Sequence, residues 1–471
     1  MKKFERIIKV RLTPLRKYVK KILAFFPPIS VPVNVRYGRI FWETYYFLKT
    51  SQWWSKEKLK KYQLMQLRRI LYHAYENVPY YRKVFKQINL TPNDIKSLDD
   101  LKKLPVLDKD TFKKHFNEII ARNINLKNTI LSHTSGTTGK PLQFYQSYSE
   151  LEKEWAFIVH QWSRVGYKPG EPRVEIRGSI ISGKHPIEYD PIGNVLRLSP
   201  RIDNKEIAQY YLRKIKAFRA KYLHGYPSAI ASFASIIRRY GLSVPFKLKA
   251  VFFASEKVYN WQREIVEEVF KARVFSHYGQ AEHVALAAEC EFLSHYHFVP
   301  QYGVVEIDPQ THEIIATGFL NYVNPFIRYK TTDVVSPPIY SHCPYCGRNY
   351  FPIVRDIEGR LEDFIITPQG ALVSPAVITH PFKDLKTIKE SQLIQESIHN
   401  LVLRVVPWGR EEKMLKTELQ FLCAALQEIL GPDMHIEVEI VEEIKKTKSG
   451  KFRWIISKVS KGLIEKGLDN I

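Results

Sequence analysis

The sequence predicts an α/β fold in which a large layered domain is followed by a small α+β domain. The chain has 471 residues, enough at roughly 150 residues per domain for about three domains. Between about residues 150 and 335, helical and strand-like patterns alternate, which favours helices packed on a mainly parallel sheet. Beyond Gly359 the segments shorten, which indicates a compact α+β unit.

The individual elements follow from the spacing of apolar residues. From 56 to about 85 they recur near a helical period and predict one long amphipathic helix. The later pattern predicts helices over 151–165, 205–218, 261–270 and 411–430, and strands over 173–176, 248–253, 274–277, around Ile365, and over 401–406 and 435–441. A polar run near Arg360 marks the boundary, so the predicted parts are a basic segment 1–55, a large domain 56–359 and a small mobile domain 360–471.

Composition excludes several classes of protein. Hydrophobic residues make up 45% and charged residues 25% of the chain, as in an ordinary globular protein. No run approaches the ~20 apolar residues of a membrane-spanning helix. Lysine and arginine total 72 against 48 acidic residues, giving a net charge of +24. This charge favours an anionic partner, but no nucleic-acid-binding motif accompanies it, so no specific nucleic acid is expected.

The amino-terminal segment is strongly basic, with nine basic residues and one acidic residue through Lys21. Prolines interrupt the following apolar run and no small-x-small cleavage site follows, so we do not expect export. One interpretation is a basic amphipathic segment on an anionic membrane, peripheral at its inner face. The alternative is a solvated helix packed on the domain. Only four cysteines occur, which fits a reducing cytoplasm.

A hydroxyl-rich loop is the strongest single motif. Backbone N–H groups, hydroxyl donors and a cation can surround phosphate oxygens, and glycine permits their close approach. It is not a Walker loop, which needs glycine at 134 and Ser or Thr at 141. Taken alone it could be a surface turn. The loop consists of Thr134, Ser135, Gly136, Thr137, Thr138, Gly139, Lys140 and Pro141.

Two further motifs follow predicted strands. In Tyr278-Gly279-Gln280-Ala281-Glu282, an aromatic face and a hard carboxylate oxygen suit a nucleotide and a hard cation. Ala254-Ser255-Glu256 also ends a strand, and ligands of open α/β sheets gather at the carboxyl ends of strands. Taken alone, the 278–282 motif is weak and would be read as a strand end with a surface glutamate, and the shared placement of the two motifs is the argument for both.

Together the motifs resemble the adenylate-forming superfamily, whose members activate a carboxylate with ATP. The resemblance is closest to its phenylacetate-coenzyme A ligase-like branch, which includes relatives found with capsule-polysaccharide genes. It implies a large adenylate-forming amino-terminal domain and a small α+β carboxyl-terminal lid. The matching segments run in family order: the 134–141 loop, Ala254-Ser255-Glu256, Tyr278-Gly-Gln-Ala-Glu282, Arg328-Tyr-Lys-Thr-Thr-Asp333, Gly359-Arg-Leu-Glu-Asp363 and Thr447-Lys-Ser-Gly-Lys451.

The resemblance also implies roles for individual residues. Asp333 would accept hydrogen bonds from the ribose hydroxyls, Glu282 would hold Mg²⁺, and Glu362 would be the interdomain pivot. Thr332 departs from the family pattern, which has glycine there. Lys451 would support adenylation together with Glu282. Nucleotide contacts are implied for Ser135, Gly136, Thr137, Thr138, Gly139, Lys140, Ser255, Glu256, Tyr278, Gly279, Asp333 and Arg360.

The cysteines form a second group. Cys343 and Cys346 have the spacing of a zinc knuckle, and Cys290 lies 53 residues earlier. With His297 they would complete a three-cysteine, one-histidine structural zinc site of the kind known in this branch; His295 and His342 are the competing ligands. Free thiols in a reduced interior are the alternative, and Cys423 is expected to lie in a helix core.

The predicted function is therefore an acid–thiol ligase. ATP would activate a carboxylic acid as an acyl-adenylate with release of pyrophosphate, and coenzyme A or another nucleophile such as an amine or sugar would take the acyl group. The capsule-associated relatives suggest a role in surface polysaccharide biosynthesis. One alternative is a nucleotidyltransferase that places AMP on a non-carboxylate acceptor. Another is a basic membrane- or polysaccharide-associated binding protein with an inactive nucleotide site.

Overall fold

Pro79 divides the predicted 56–85 helix into two helices. In the computed structural model they span Lys56–Asn77 and Pro79–Gln87, and Val78 between them is extended, with φ −113° and ψ 109°. Proline lacks the N–H that a continuing helix would use, and it disfavours helical geometry in the preceding residue. The prediction of one helix is therefore wrong, although its apolar face is buried as expected.

The structure describes residues 33–134, 142–177, 186–200, 202, 204–339, 342–349, 352–360, 363–368, 372–373, 375–382, 385–409, 412–445 and 452–459. Segment 1–32, residues 135–140 of the predicted phosphate loop, Glu362 and Lys451 lie outside these ranges. The remaining described α-helices are Val33–Arg36, Arg39–Ser51, Lys109–Lys114, Tyr148–Ser163, Lys205–Phe218, Pro227–Arg239, Asn260–Phe270, Pro375–Ile378 and Glu412–Leu430.

The strands are numbered in chain order. They are β1 Thr129–His133, β2 Gln143–Ser147, β3 Arg173–Ile176, β4 Ile187–Asp190, β5 Val195–Leu198, β6 Tyr222–Gly225, β7 Ala250–Ala254, β8 Val274–Gly279, β9 Leu286–Glu289, β10 Tyr296–Phe298, β11 Gly303–Ile307, β12 Glu313–Gly318, β13 Tyr329–Val335, β14 Ile353–Val354, β15 Ile357–Arg360, β16 Ile365–Ile366, β17 Leu372–Val373, β18 Ile388–Ser397, β19 Asn400–Pro407, β20 His435–Ile440 and β21 Ile455–Ser457.

One of two compact units comprises Met1–Thr50, Leu151–Ala254 and Arg263–Ser276. Its strands pair in the order β7, β6, β3, β5, β4, and all these pairs are parallel except β4 with β5. This is the mainly parallel sheet predicted from the alternating pattern. Gly225 allows β6 to approach β3 closely, because a Cβ at this position would lie 2.1 Å from the Ile176 carbonyl oxygen.

The second unit comprises Ser51–Glu150, Ser255–Gln262 and His277–Ile471. It contains the β1–β2 hairpin, the antiparallel sheet β11-β12-β13-β15, and the sheet β20-β19-β18-β21 with the Glu412–Leu430 helix. The last group is the α+β unit expected after residue 360, and β18 is a strand that the sequence pattern did not predict. Among the described residues, no helix is both long and apolar enough to cross a membrane.

Candidate active site and cysteine cluster

Tyr278, Asp333 and Arg360 meet in the second unit. The Tyr278 hydroxyl, near the end of β8, donates a hydrogen bond of 2.6 Å to Asp333 Oδ2. Asp333 and Arg360 are register partners on β13 and β15, and Arg360 Nε lies 3.6 Å from Asp333 Oδ1. Side chains from β8 and β15 therefore meet at the Asp333 carboxylate on β13.

Opposing effects act on the Asp333 carboxyl group, which has a largely buried side chain. Burial raises its pKa from 3.8 to about 6, while the Arg360 charge and the hydrogen bond from Tyr278 lower it. Burial also raises the pKa of Tyr278 well above 10, and the Asp333 charge adds to that effect. A carboxylate that accepts hydrogen bonds in this environment suits recognition of hydroxyl groups.

Glu282 is buried near this group and accepts a hydrogen bond of 3.1 Å from the Tyr329 hydroxyl. Burial raises the pKa of Tyr329 well above 10, with a further contribution from the Glu282 charge, so Tyr329 remains a donor. No role was predicted for Tyr329 from the sequence. Strand periodicity could not have supplied one, because a register irregularity and the left-handed Thr332 interrupt the alternation of β13 between Tyr329 and Asp333.

Left-handed backbone geometry occurs in two of the predicted site segments and directly after a third. Ser255 has φ 72°, His283 has φ 54° and Thr332 has φ 67°. Non-glycine residues in this region are uncommon, and such strain concentrates at functional sites. Thr332 occupies the position where the family pattern has glycine. Thr332 therefore adopts a backbone conformation that glycine would adopt without strain.

Glu256 contacts the segment that follows Lys451. Its Oε1 accepts a hydrogen bond of 3.0 Å from the Phe452 backbone N–H. The adjacent Arg453 forms a 2.6 Å ion pair with Asp363 of the predicted hinge motif. The adenine contact expected of Glu256 stays a prediction, while the observed contact ties Glu256 to the carboxyl-terminal loop.

The two ends of the predicted phosphate loop are joined at its base. The Thr134 N–H donates to the Leu142 carbonyl oxygen at 2.9 Å, and the Leu142 N–H donates to Thr134 Oγ1 at 3.1 Å. The flanking β1 and β2 pair as an antiparallel hairpin. The two residues that flank 135–141 are therefore held together at one end of the hairpin, while 135–141 themselves lie outside the described residues.

Cys290, His297, Cys343 and Cys346 form a buried cluster. Their potential ligand atoms all lie within 4.8 Å of one another. Cys290 Sγ and Cys343 Sγ are 4.0 Å apart, and Cys346 Sγ is 3.9 Å from His297 Nδ1. Two sulfurs bound to tetrahedral zinc lie roughly 3.8 Å apart, so this donor set fits zinc.

Local structure explains which histidine joins the cluster. His297 lies on β10, which pairs with β9 immediately before Cys290 and with β14 on its other side. The knuckle turns at Gly347, which has φ 70° and donates its N–H to the Cys343 carbonyl oxygen. The cluster contains His297, the preferred ligand, and neither of its competitors, His295 and His342.

Comparisons with known proteins agree with this architecture. A family model described as the CapK C-terminal domain matches residues 365–458. Protein CapK of Staphylococcus aureus is 25% identical over 82% of this chain and 86% of its own length. A phenylacetate-coenzyme A ligase of Pseudomonas putida is 26% identical over 71% of this chain and 78% of its own length.

A solved structure shows the same fold. The crystal structure of 2-hydroxyisobutyryl-CoA ligase, in the postadenylation state with an acyl-AMP, aligns with a TM-score of 0.67. It is 17% identical and covers 95% of this chain and 98% of its own. The predicted fold class is thereby confirmed. The chain is therefore similar in sequence to CapK and to the phenylacetate-coenzyme A ligases, and it shares its fold with an adenylate-forming coenzyme A ligase.

Proposed function

We propose that this protein activates a carboxylic acid with ATP and passes the acyl group to coenzyme A or another nucleophile. In the first step a carboxylate oxygen of the acid attacks the α-phosphorus of ATP. A bond from that oxygen to phosphorus forms, the bond to the bridging oxygen of pyrophosphate breaks, and pyrophosphate leaves with the electron pair. In the second step the acceptor attacks the acyl carbon, and AMP departs.

The observation that carries this proposal is that Tyr278 and Arg360 both contact the buried carboxylate of Asp333. A carboxylate held between a phenol and a guanidinium can accept two hydroxyl donors such as those of a ribose. Glu282 adds a second carboxylate, of the oxygen type that hard cations prefer. The names of the relatives, which are coenzyme A ligases, support the same reaction class.

Each residue has a distinct part in the proposed adenylation step. Asp333 binds the ribose, Tyr278 packs against the adenine, and Tyr329 orients Glu282 through its hydrogen bond. Mg²⁺, held by Glu282, would neutralise charge on the triphosphate. Lys451 stabilises the negative charge that develops at the α-phosphate and the leaving pyrophosphate. Residues 135–140 contact the phosphates.

The acceptor and the biological role are finer parts of the proposal. Coenzyme A is supported by the phenylacetate-coenzyme A ligase relatives, and an amine or a sugar stays an alternative acceptor. A role in surface polysaccharide biosynthesis rests on the sequence resemblance alone. The cytoplasmic location and peripheral membrane association stay predictions from cysteine usage and from the basic amino-terminal segment. The cysteine cluster supports a structural zinc ion.

ATP–pyrophosphate exchange tests the proposal. Purified protein would be assayed with Mg²⁺ and a panel of aryl, acyl, amino and sugar acids. Exchange that depends on one acid would support adenylation and name the substrate class. A protein that binds ATP but gives no exchange with any acid would contradict the proposal in favour of AMP transfer to a non-carboxylate acceptor, which an adenylylated product would reveal.

A further inference from the structure

A buried polar cluster joins the β1–β2 hairpin to the turn that carries Glu282. Glu150 Oε1 lies 2.9 Å from His283 Nδ1, and Gln146 Nε2 lies 3.1 Å from the same carboxylate oxygen. Gln146 Nε2 also donates to the Ala281 carbonyl oxygen at 3.0 Å. The Glu150 side chain has no exposure to solvent and that of His283 is 9% exposed.

The hydrogens in this cluster can be assigned from the donor inventory. An ionised carboxylate only accepts hydrogen bonds, so the hydrogen between Glu150 and His283 belongs to the imidazole Nδ1. Gln146 Nε2, which also lies 2.9 Å from His283 Nδ1, then directs its two amide hydrogens to Glu150 and to the Ala281 carbonyl oxygen. The residues on both sides of Glu282 are therefore held, one through its backbone carbonyl and the other through its side chain.

Two features of the cluster are unfavourable for stability. Glu150 Oε2 is buried and has no hydrogen-bond partner among the described residues. His283 has the left-handed φ of 54° described above. A buried, unsatisfied carboxylate oxygen next to a strained backbone is costly, and such costs concentrate where a functional geometry must be held.

We propose that Glu150 is a positioning residue that acts through His283 to fix the carboxylate of Glu282. The inference rests on the proposed function, in which Glu282 holds Mg²⁺. Gln146 lies on β2 opposite Ile130, so the cluster also links β2 of the hairpin to the Glu282 turn. The alternative is an ion pair that only contributes to folding.

Glu150→Gln is the first test variant because it removes the charge and keeps the shape. ATP binding is titrated by calorimetry at a series of Mg²⁺ concentrations, and thermal stability is measured alongside. The half-saturating Mg²⁺ concentration is expected to rise about 10- to 100-fold, the usual effect of changing a residue that orients a metal ligand. Asp190→Asn is the matched control, because it removes the charge from a largely buried carboxylate that pairs with Arg197 at 2.8 Å and that the proposed site does not use. It should leave the Mg²⁺ dependence unchanged.

A pair of variants at His283 keeps the test decisive if Glu150→Gln does not fold. Asparagine tolerates left-handed geometry and can place an amide nitrogen near the Nδ1 position. His283→Asn should therefore retain the Mg²⁺ dependence of the wild type, whereas His283→Ala should show the rise. Equal Mg²⁺ dependence in His283→Ala and His283→Asn, or in Glu150→Gln and Asp190→Asn, would overturn the inference. The exchange assay on the wild type separately decides the proposed function, because it needs no variant.

Discussion

Asp333 has neighbours that change the pKa of its carboxyl group in opposite directions. Burial dominates and raises that pKa from 3.8 to about 6, despite the nearby Arg360 charge. The folded state therefore binds the proton more tightly than the unfolded state does. The stability that this carboxyl contributes is fully present below pH 3.8 and is lost as the pH rises through about 6. At neutral pH the buried, ionised Asp333 carboxylate lowers the free energy of unfolding. We attribute the retention of this unfavourable group to its proposed role in binding.

We predict that adenosine binds more tightly as the pH rises through about 6, because the ionised Asp333 carboxylate is the better acceptor for ribose hydroxyls. Adenosine is the right probe since it has no phosphate that titrates in this range. The measurement is calorimetric binding between pH 5 and 8. Asp333→Asn should bind weakly and without this pH dependence; the same pH profile in both proteins would contradict the assignment.

Thr332 offers a second test at a single residue. We predict that Thr332→Gly raises the free energy of unfolding by about 1 kcal/mol, because glycine adopts the observed φ of 67° without strain. Urea unfolding would measure the change, and adenosine affinity should stay within about twofold of the wild type. Thr331→Gly is the control, since Thr331 lacks a positive φ and donates its hydroxyl hydrogen to the Ile314 carbonyl oxygen. A lower unfolding free energy for Thr332→Gly would contradict the strain argument.

The cysteine knuckle and the β9–β10 pair form one structural element, in which Cys290 and Cys343 lie close together although they are 53 positions apart in the chain. Arg348, which follows the knuckle, pairs with Glu291 at 2.6 Å and donates to Gln52 at 3.0 Å. These contacts tie Glu291, the neighbour of Cys290, to the knuckle. A tetrahedral ion bound by the cluster would add further cross-linking energy.

We predict one zinc ion per chain, measured by inductively coupled plasma mass spectrometry on protein purified without chelator. Cys343→Ser should lose the zinc and unfold at a lower urea concentration, because the site would have only three protein ligands of the original type. Cys423→Ser is the matched control, since Cys423 lies on the Glu412–Leu430 helix outside the cluster. Full zinc content in Cys343→Ser would contradict the ligand set.

At the scale of the whole molecule, adenylation requires that the carboxyl-terminal loop reach the nucleotide. The observed contact of Phe452 with Glu256 brings the neighbour of Lys451 to a predicted nucleotide-binding segment. The Arg453–Asp363 ion pair holds the same loop against the hinge motif. Lys451 lies outside the described residues, and its action on the reaction stays a prediction that these neighbouring contacts support.

We predict that Lys451→Ala lowers acid-dependent ATP–pyrophosphate exchange by at least about 100-fold, because one positioned charge donor typically contributes that much to the stabilisation of a transition state. Thermal stability and ATP affinity should change little. Lys448→Ala, in the same basic loop, is the control and should retain exchange. A wild-type exchange rate in Lys451→Ala would contradict the assignment of this lysine.

Local pattern predicted much of the secondary structure. The 173–176 strand and the 205–218 helix begin and end where expected, since each has a strong periodic pattern bounded by turn residues. The 56–85 helix was wrong because periodicity continues through Pro79, while a single missing N–H ends the helix there. Strand β18, Ile388–Ser397, has too mixed a pattern to be recognised without its partners β19 and β21.

The sequence by itself predicted the reaction class and the residues proposed to serve it, because phosphate, ribose and metal recognition each demand particular side chains within short segments. Only the tertiary structure decided which of those groups act on one another. Tyr329 donates to Glu282, His297 rather than His295 joins the cysteines, and Glu150 supports the turn around Glu282. These contacts join residues 47, 49 and 133 positions apart. Strand register and packing place them, and no local sequence pattern encodes such long-range distances.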